Sequence, residues 1–318
     1  MPISNQDQKH EKTPLLEVNN LSLHFHTITS GLRETKQHVI RGLDLTIAEG
    51  EIVAVFGASG SGKSLLANAI IGILPENAAI SGEIKYKGEI LDQQRKTELR
   101  GNEISLMPQS INALDPLMKT GKQVRVGVKE RAKKSVQREV FRRVGLATEV
   151  ENQYPFQLSG GTARRVLVAA TMVSDAKLLI ADEPTPGLDE EVLKETMDLI
   201  RKVADEGKGV MIITHDIDTV LAIADKVAIM YSGETVEVAN VNDFAGKGEA
   251  LRHPYTKALW NALPQNDFTP LPGWVTDTKQ SSQGCIFQPR CPWATPICMD
   301  EQPLSKEVNG GTVRCFHA

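Results

Sequence analysis

Short apolar runs alternate with amphipathic stretches over much of the chain. Three runs are nearly continuous in apolar, often β-branched residues, as in parallel strands covered on both faces: residues 51–56, 178–181 and 210–214. Each is followed by a stretch with no helix breaker that predicts a helix: residues 65–71, 190–204 and 217–224. This alternation predicts an α/β protein with a largely parallel sheet and helices on both faces.

Other patterns surround this predicted core. Residues 15–56 are typical of strands, although a polar insertion at residues 29–38 obscures the register. Short apolar segments on either side of Lys87-Gly88 and of Ser232-Gly233 predict two hairpins. Between about residues 110 and 165 the spacing is helical, which predicts a helical insertion into the sheet.

The composition changes after about residue 245. Eight prolines between positions 254 and 303 argue against long helices beyond about residue 263. We therefore predict a flexible N-terminus at residues 1–14, a main domain at 15–245 and a separate, loop-rich C-terminal extension at 246–318.

Charge and hydropathy narrow the classes of function. A net charge of −4 gives no general attraction to nucleic acid. No stretch approaches the roughly 20 apolar residues needed to cross a bilayer, and the first residues lack a signal-peptide core, so we expect a cytoplasmic location. A basic cluster between Lys129 and Arg143 is interleaved with apolar positions at helical spacing, so it is either a solvated helix face or a phosphate-binding patch.

A glycine-rich segment at residues 57–64 follows the first predicted buried strand. It matches the phosphate-binding pattern G-x-x-x-x-G-K-[ST] at every specified position, and a helix starting near Leu65 would direct its positive dipole end towards the phosphates. Backbone N–H groups of such a loop cradle phosphates, its lysine reaches the β and γ oxygens, and its final hydroxyl ligates Mg²⁺. The predicted nucleotide-binding residues here are Gly57, Ala58, Ser59, Gly60, Ser61, Gly62, Lys63, Ser64 and Leu65.

Two acids, Asp182 and Glu183, end the second predicted buried strand. The carboxyl ends of parallel strands are where open α/β sheets bind ligands. We expect Asp182 to hold Mg²⁺ with Ser64, and Glu183 to accept a proton from an attacking water molecule.

A second candidate anion site is Leu158-Ser159-Gly160-Gly161, which opens an amphipathic helix. This segment resembles the signature of the ATP-binding cassette (ABC) family. With the phosphate loop, it indicates a resemblance to that family over roughly residues 15–245. The implied fold is a P-loop NTPase: a RecA-like parallel-sheet core with an N-terminal antiparallel β subdomain and a helical insertion.

The resemblance also implies roles for several residues. Gln109 is similar to the glutamine that contacts Mg²⁺ and the attacking water, and His215 to the histidine that contacts the γ-phosphate. Asp189 occupies the acidic position of the D-loop. Two such chains would close head to tail, so that Ser159, Gly160 and Gly161 of one face the ATP bound to the other.

Some positions depart from the family pattern or stay ambiguous. Thr162, Ala163 and Pro186 differ from the residues common in relatives, although none removes a catalytic atom. An aromatic residue that stacks on adenine should precede the phosphate-loop strand. Phe25 and His38 are both candidates, and core packing is the alternative role for Phe25.

Three functional classes are compatible with a cassette: an importer's ATPase subunit, an exporter's ATPase, and a cassette protein of translation or repair. The chain has one phosphate loop, no coiled-coil insertion and no membrane helix, which favours a separate ATPase subunit. Residues 253–259 and 284–315 resemble the C-terminal extension of ATP-binding subunits of dipeptide, oligopeptide and nickel importers. The implied partners are a second, often different cassette, two membrane permeases and an extracytoplasmic binding protein. The implied location is the cytoplasmic face of the membrane.

All four cysteines, Cys285, Cys291, Cys298 and Cys315, lie in the last 34 residues. No tight C-x₂₋₄-C pair typical of structural zinc is present, whereas four thiolates suit a [4Fe–4S] cluster, which the resemblance implies for some members. Iron–sulfur, zinc and free thiols remain the three alternatives.

Overall fold

The computed structural model describes residues 14–29, 33–128, 132–269 and 283–318. The predicted flexible N-terminus lies outside these residues except for Pro14, and so do Lys129 and Arg131 of the basic cluster. The described strands are β1 (Pro14–Thr29), β2 (Arg33–Ala48), β3 (Ile52–Gly57), β4 (Ala78–Tyr86), β5 (Glu89–Ile90), β6 (Ile104–Met107), β7 (Leu178–Asp182), β8 (Gly209–Thr214), β9 (Lys226–Tyr231), β10 (Glu234–Asn240), β11 (Lys306–Val308) and β12 (Gly311–Val313). The described α-helices are α1 (Lys63–Ile71), α2 (Gln93–Leu99), α3 (Thr120–Val126), α4 (Lys133–Arg143), α5 (Gly160–Met172), α6 (Glu190–Asp205), α7 (Ile217–Leu221), α8 (Pro254–Asn261) and α9 (Pro296–Asp300).

The main sheet has the strand order β11-β12-β10-β9-β3-β8-β7-β6. The pairs β9–β3, β3–β8, β8–β7 and β7–β6 are parallel, whereas β10, β11 and β12 pair in antiparallel fashion. The predicted α/β fold with a largely parallel sheet is therefore confirmed. Adjacent positions of β3, β8 and β7 bring the ends of these three strands to one edge of the sheet.

Successive side chains of β3 pack into two different cores, which explains why its sequence is apolar throughout. Val53 and Val55 belong to a core shared with α1 and the N-terminal strands, while Ile52 and Ala54 belong to a second core with α6 and α8. Because side chains of a strand alternate between faces, a strand buried on both sides has no polar positions.

A four-stranded antiparallel sheet, β2-β1-β4-β5, packs over the first of these cores. The sequence predicted a polar insertion between strands at residues 29–38. In the structure, β1 continues to Thr29 and β2 starts at Arg33. Polar residues are tolerated in this ribbon since it extends past the core, and Lys36, Gln37 and His38 are exposed.

The helical region contains α3, α4 and α5 around its own core, which includes Val124, Phe141 and Val166. The described part of the basic cluster lies mostly on α4, where Arg142 and Arg143 pair with Glu139, and Arg138 pairs with the buried Glu151. These ion pairs favour the solvated helix face over a phosphate-binding patch.

The C-terminal extension joins the main sheet. Its strand β12 pairs with β10, and Trp260 and Phe287 enter the core behind β3. Arg252 is 8% exposed and contacts Glu237, Asp243 and the Val308 and Asn309 carbonyls. This pairing was not evident from the sequence, because residues 306–313 carry no strong strand pattern.

Within the described ranges no helix has the length and apolar character required to cross a membrane.

Candidate nucleotide-binding site

The phosphate loop turns from the end of β3 into α1, and its lysine is held over the turn. Lys63 is 8% exposed, and its Nζ donates hydrogen bonds to the Gly57 and Ala58 carbonyls at 2.7 and 3.0 Å. Burial lowers the pKa of Lys63, while the Glu183 and Asp182 carboxylates raise it. A buried ammonium group beside a ring of backbone N–H groups is suited to bind a polyphosphate.

Two glycines are required by the fold of this loop. A Cβ on Gly57 would lie 2.6 Å from the Met230 carbonyl oxygen, and Gly62 has φ of 95° at the start of α1. Glycine alone satisfies the close approach and adopts the left-handed backbone without strain.

The two acids lie beside the loop, at the end of β7. Asp182 is 7% exposed, and burial raises the pKa of its carboxyl, with opposing effects from the Ser64 hydroxyl hydrogen bond and from Lys63 and Arg164. Its Oδ1 is buried and has no hydrogen-bond partner among the described residues. A buried carboxylate with a free oxygen next to a serine hydroxyl fits a Mg²⁺ ion.

Glu183 is held in an unusual conformation. Its φ is 49°, in the left-handed region where a glutamate is strained by about 1 kcal/mol, and its N–H donates to the Ile213 carbonyl at 2.8 Å. Its Oε1 lies 2.9 Å from His215 Nδ1, while Oε2 has no partner within the described part of the chain. One carboxylate oxygen is thus oriented and the other remains available for a proton or a water molecule.

Several of these groups open onto one cleft with a volume of about 470 Å³, whereas Gly57 and Asp182 are not among the residues that line it. It is lined by Val39, Ser59, Gly60, Gly62, Lys63, Ser64, Leu65, Gln109, Glu183 and His215. The structure therefore brings together most of the phosphate loop, Gln109, Glu183 and His215, although they are separated by up to 156 positions in the chain.

The signature segment lies elsewhere. Ser159 caps α5, accepting a hydrogen bond from Thr162 N at 3.2 Å, and Gly160 is exposed. In the part of the chain that the structure describes, Ser159, Gly160 and Gly161 are not among the lining residues of the cleft. Asp189 likewise caps α6 by accepting a hydrogen bond from Val192 N at 3.0 Å.

The two candidates for adenine stacking lie on the β1–β2 ribbon. Phe25 packs against the core beneath the antiparallel sheet, and His38 is exposed with its ring 5.1 Å from that of His24. Among the described residues of this ribbon, Val39, the neighbour of His38, lines the cleft.

Sequence reasoning missed one residue close to the carboxylates. Arg164 is 5% exposed, and its Nη1 donates to the Pro108 carbonyl at 3.1 Å. A charged residue on the apolar face of a predicted helix was the signal that could have identified it.

The four cysteines of the C-terminal extension are free thiols. Burial raises the pKa of Cys285 to about 11, and the sulfurs of Cys298 and Cys315 are near enough to raise it further, while a hydrogen bond from the Phe287 N–H opposes them. Cys298 Sγ lies 3.5 Å from His317 Nε2. Across residues 14–29, 33–128, 132–269 and 283–318, no group of three or more His, Cys, Asp or Glu side chains is placed to hold a metal ion.

A P-loop fold with paired acids at the neighbouring strand end defines a nucleotide-binding protein. Residues 40–186 match the ABC transporter family model, and residues 236–298 match the C-terminal region of oligopeptide/dipeptide transporters. The chain is 34% identical to the oligopeptide transport ATP-binding protein AppD of Bacillus subtilis, covering 95% of this chain and 96% of that protein. It is 35% identical to OppD of Mycobacterium tuberculosis, covering 93% of this chain and 50% of that protein.

The solved structures agree with the sequence relatives. The chain resembles a dimeric, post-hydrolysis ATP-binding cassette, MJ0796, bound to ADP and Pi, with a TM-score of 0.64 and 26% identity over 71% of this chain and 98% of that one. The protein therefore belongs to the ABC transporter family. It is an ABC ATPase, which couples ATP hydrolysis to transport.

Proposed function

We propose that this chain is the ATP-hydrolysing subunit of an importer of peptides. The observation that carries this proposal is the match of residues 236–298 to the C-terminal region of oligopeptide/dipeptide transporters, together with relatives named for oligopeptide transport. Nickel or a metal–chelator complex is the alternative cargo, because the resemblance in the C-terminal extension extends to nickel importers.

The residues of the cleft support specific roles in hydrolysis. The phosphate loop binds the phosphates of ATP, and Ser64 and Asp182 hold Mg²⁺ with Gln109. Mg²⁺ would neutralise charge on the phosphates. Glu183, with one oxygen oriented by His215, positions the attacking water and accepts its proton, and His215 contacts the γ-phosphate.

The position of the signature segment supports a site shared between two cassettes. Ser159, Gly160 and Gly161 are accessible from outside the chain and offer a hydroxyl and N–H groups at a helix start. They face the ATP of the opposite cassette, and Asp189 lies at that same interface. We infer a heterodimer of two different cassettes rather than a homodimer.

The proposed partners follow from the match to oligopeptide/dipeptide transporters and from relatives named as ATP-binding proteins of oligopeptide transport. Two permease subunits provide the membrane path, an extracytoplasmic binding protein delivers the cargo, and this chain lies at the cytoplasmic face of the membrane.

The cysteine cluster supports a [4Fe–4S] group held by Cys285, Cys291, Cys298 and Cys315. Four thiols within electrostatic range and backbone N–H groups directed at the sulfurs of Cys285, Cys291 and Cys315 suit such a cluster. Absorbance near 400 nm and the iron content of protein purified without oxygen test this; a colourless, iron-free preparation would refute it.

Transport assays test the import function. Deleting the gene from its own organism should reduce uptake of a labelled oligopeptide, and the wild-type chain should restore it while Glu183→Gln should not. Loss of labelled nickel uptake with normal peptide uptake would refute the assignment of peptides as the transported substrate. Normal uptake of both would refute the importer.

A further inference from the structure

Arg164 is a buried cation on α5, the helix that begins at the signature segment. It is 5% exposed, although arginine is rarely buried to this extent without a specific partner. Its neighbour Arg165 shows the ordinary arrangement, with Nη1 donating to the Gly145 carbonyl at 2.9 Å on the outer side of the helix. Burial of Arg164 therefore requires an explanation of its own.

The guanidinium of Arg164 links the signature helix to the segment that carries Gln109. Its Nη1 donates to the carbonyl of Pro108, which directly precedes Gln109, at 3.1 Å. Its Nε is buried and unpaired within the described residues. An unpaired donor in a buried charged group costs stability, so this side chain is not explained by stability alone.

The charge of Arg164 is within electrostatic range of the two acids, Asp182 and Glu183. Burial lowers its pKa, and the carboxylates that raise it are Glu183 first and Asp182 second. Lys63 faces the same two acids from the phosphate loop. Both cations, one on the phosphate loop and one on the signature helix, are therefore within electrostatic range of the acid pair.

We propose that Arg164 is a positioning residue that connects the signature helix of a cassette to the hydrolytic side of its own cleft. Its hydrogen bond fixes the backbone before Gln109, and its charge holds the Asp182–Glu183 pair in place. Closure of a second cassette on Ser159–Gly161 is then transmitted along α5 to the residues that orient water. This inference rests on the proposed pairing of two cassettes. It adds a connection, within one chain, between the signature segment and the residues that orient water.

The test compares Arg164→Met, Arg164→Lys and the matched control Arg165→Met in the assembled transporter. We expect Arg164→Met to lower kcat for ATP about tenfold or more, with the KM for ATP changed less than about twofold. Its Tm should be little changed, because the loss of the charge beside the two acids is offset by removal of an unpaired buried donor, and Lys63 still faces the acids. Arg164→Lys should recover most of the lost kcat, and Arg165→Met should retain wild-type kcat.

Several outcomes would overturn the inference. Wild-type kcat in Arg164→Met would do so, as would a parallel loss of kcat, nucleotide binding and Tm that Arg164→Lys does not rescue. If Arg164→Met does not accumulate, Arg164→Gln provides the same comparison with the charge removed and an amide donor kept. Absence of ATPase activity in the wild-type assembly would count against the proposed function, whereas a specific effect of Arg164 requires that activity to be present.

Discussion

The phosphate loop and the signature segment are both glycine-rich turns that lead into helices, yet the chain constrains them differently. A Cβ on Gly57 would lie 2.6 Å from the Met230 carbonyl, and one on Gly62 would lie 3.1 Å from the Ile40 side chain. A Cβ on Gly160 would meet no described atom within 4 Å, and one on Gly161 would have only the Gly187 carbonyl at 3.8 Å. The loop needs glycine because of its own chain. The signature segment has no such internal reason, which supports a ligand or partner from outside.

The largest expected effect comes from the acid that follows β7. Glu183→Gln keeps the size of the side chain but removes the proton acceptor, so we expect hydrolysis to fall at least ~100-fold. Nucleotide binding should be retained, because the phosphate loop is unchanged. Steady-state ATPase assays and binding of a fluorescent ATP analogue measure the two effects, and turnover near wild type would remove Glu183 from its proposed role.

The next effect separates the two glycine-rich turns. Gly160→Asp places a carboxylate on an exposed helix start without an internal clash, so the isolated chain should fold and bind ATP normally. In the assembled pair the acid would repel the opposing γ-phosphate, and we expect ATPase activity to fall about tenfold or more. Equal loss of binding in the isolated chain would show that Gly160 serves its own cleft instead.

A matched substitution in the phosphate loop should impair the isolated chain itself, unlike the substitution of Gly160. Gly57→Ala forces a methyl group against the Met230 carbonyl, so we expect lower ATP affinity and a lower Tm already in the isolated chain. Gly160→Ala is the control and should leave both quantities unchanged. The comparison fails if the two alanine variants behave alike.

The smallest expected effect is on the pH dependence of stability, and it concerns His253, which lies outside both glycine-rich turns. His253 caps α8, and burial lowers its pKa to about 3 from 6.5. The unfolded chain takes up this proton near pH 6.5 whereas the folded chain does not, so stability falls as the pH decreases from about 6.5 towards 3.

His253→Asn keeps a capping side chain without this titration. The Tm difference between pH 7.5 and 5.5 should therefore be smaller in the variant, by about 3 °C. ATP binding at constant pH is the control and should not change. An equal pH dependence in both proteins would refute the assignment to His253.

Sequence periodicity predicted the parallel core because burial on both faces leaves β3, β7 and β8 apolar except at the carboxyl ends of β7 and β8, where Asp182 and Thr214 lie. Residues 33–38 were harder to predict, since a ribbon that extends past the core can be polar on both faces and still pair its backbone. The strands β11 and β12 are three residues each, too short for a period-two pattern, and long-range contacts, the pairing of β12 with β10 and the Arg252 hydrogen bonds, stabilise them.

The sequence by itself determined the chemistry: the phosphate loop, the acids after a buried strand, and the signature segment are each encoded by a few adjacent residues whose types the chemistry requires. Only the tertiary structure decided which of them meet. The adjacency of β3, β8 and β7 brings Gly57, His215 and Glu183 to one edge, because strand order depends on long-range pairing that local patterns do not record. The same packing left Ser159–Gly161 outside the cleft and buried Arg164 towards the acids, because α5 packs against the helical core on one side and exposes its first residues on the other.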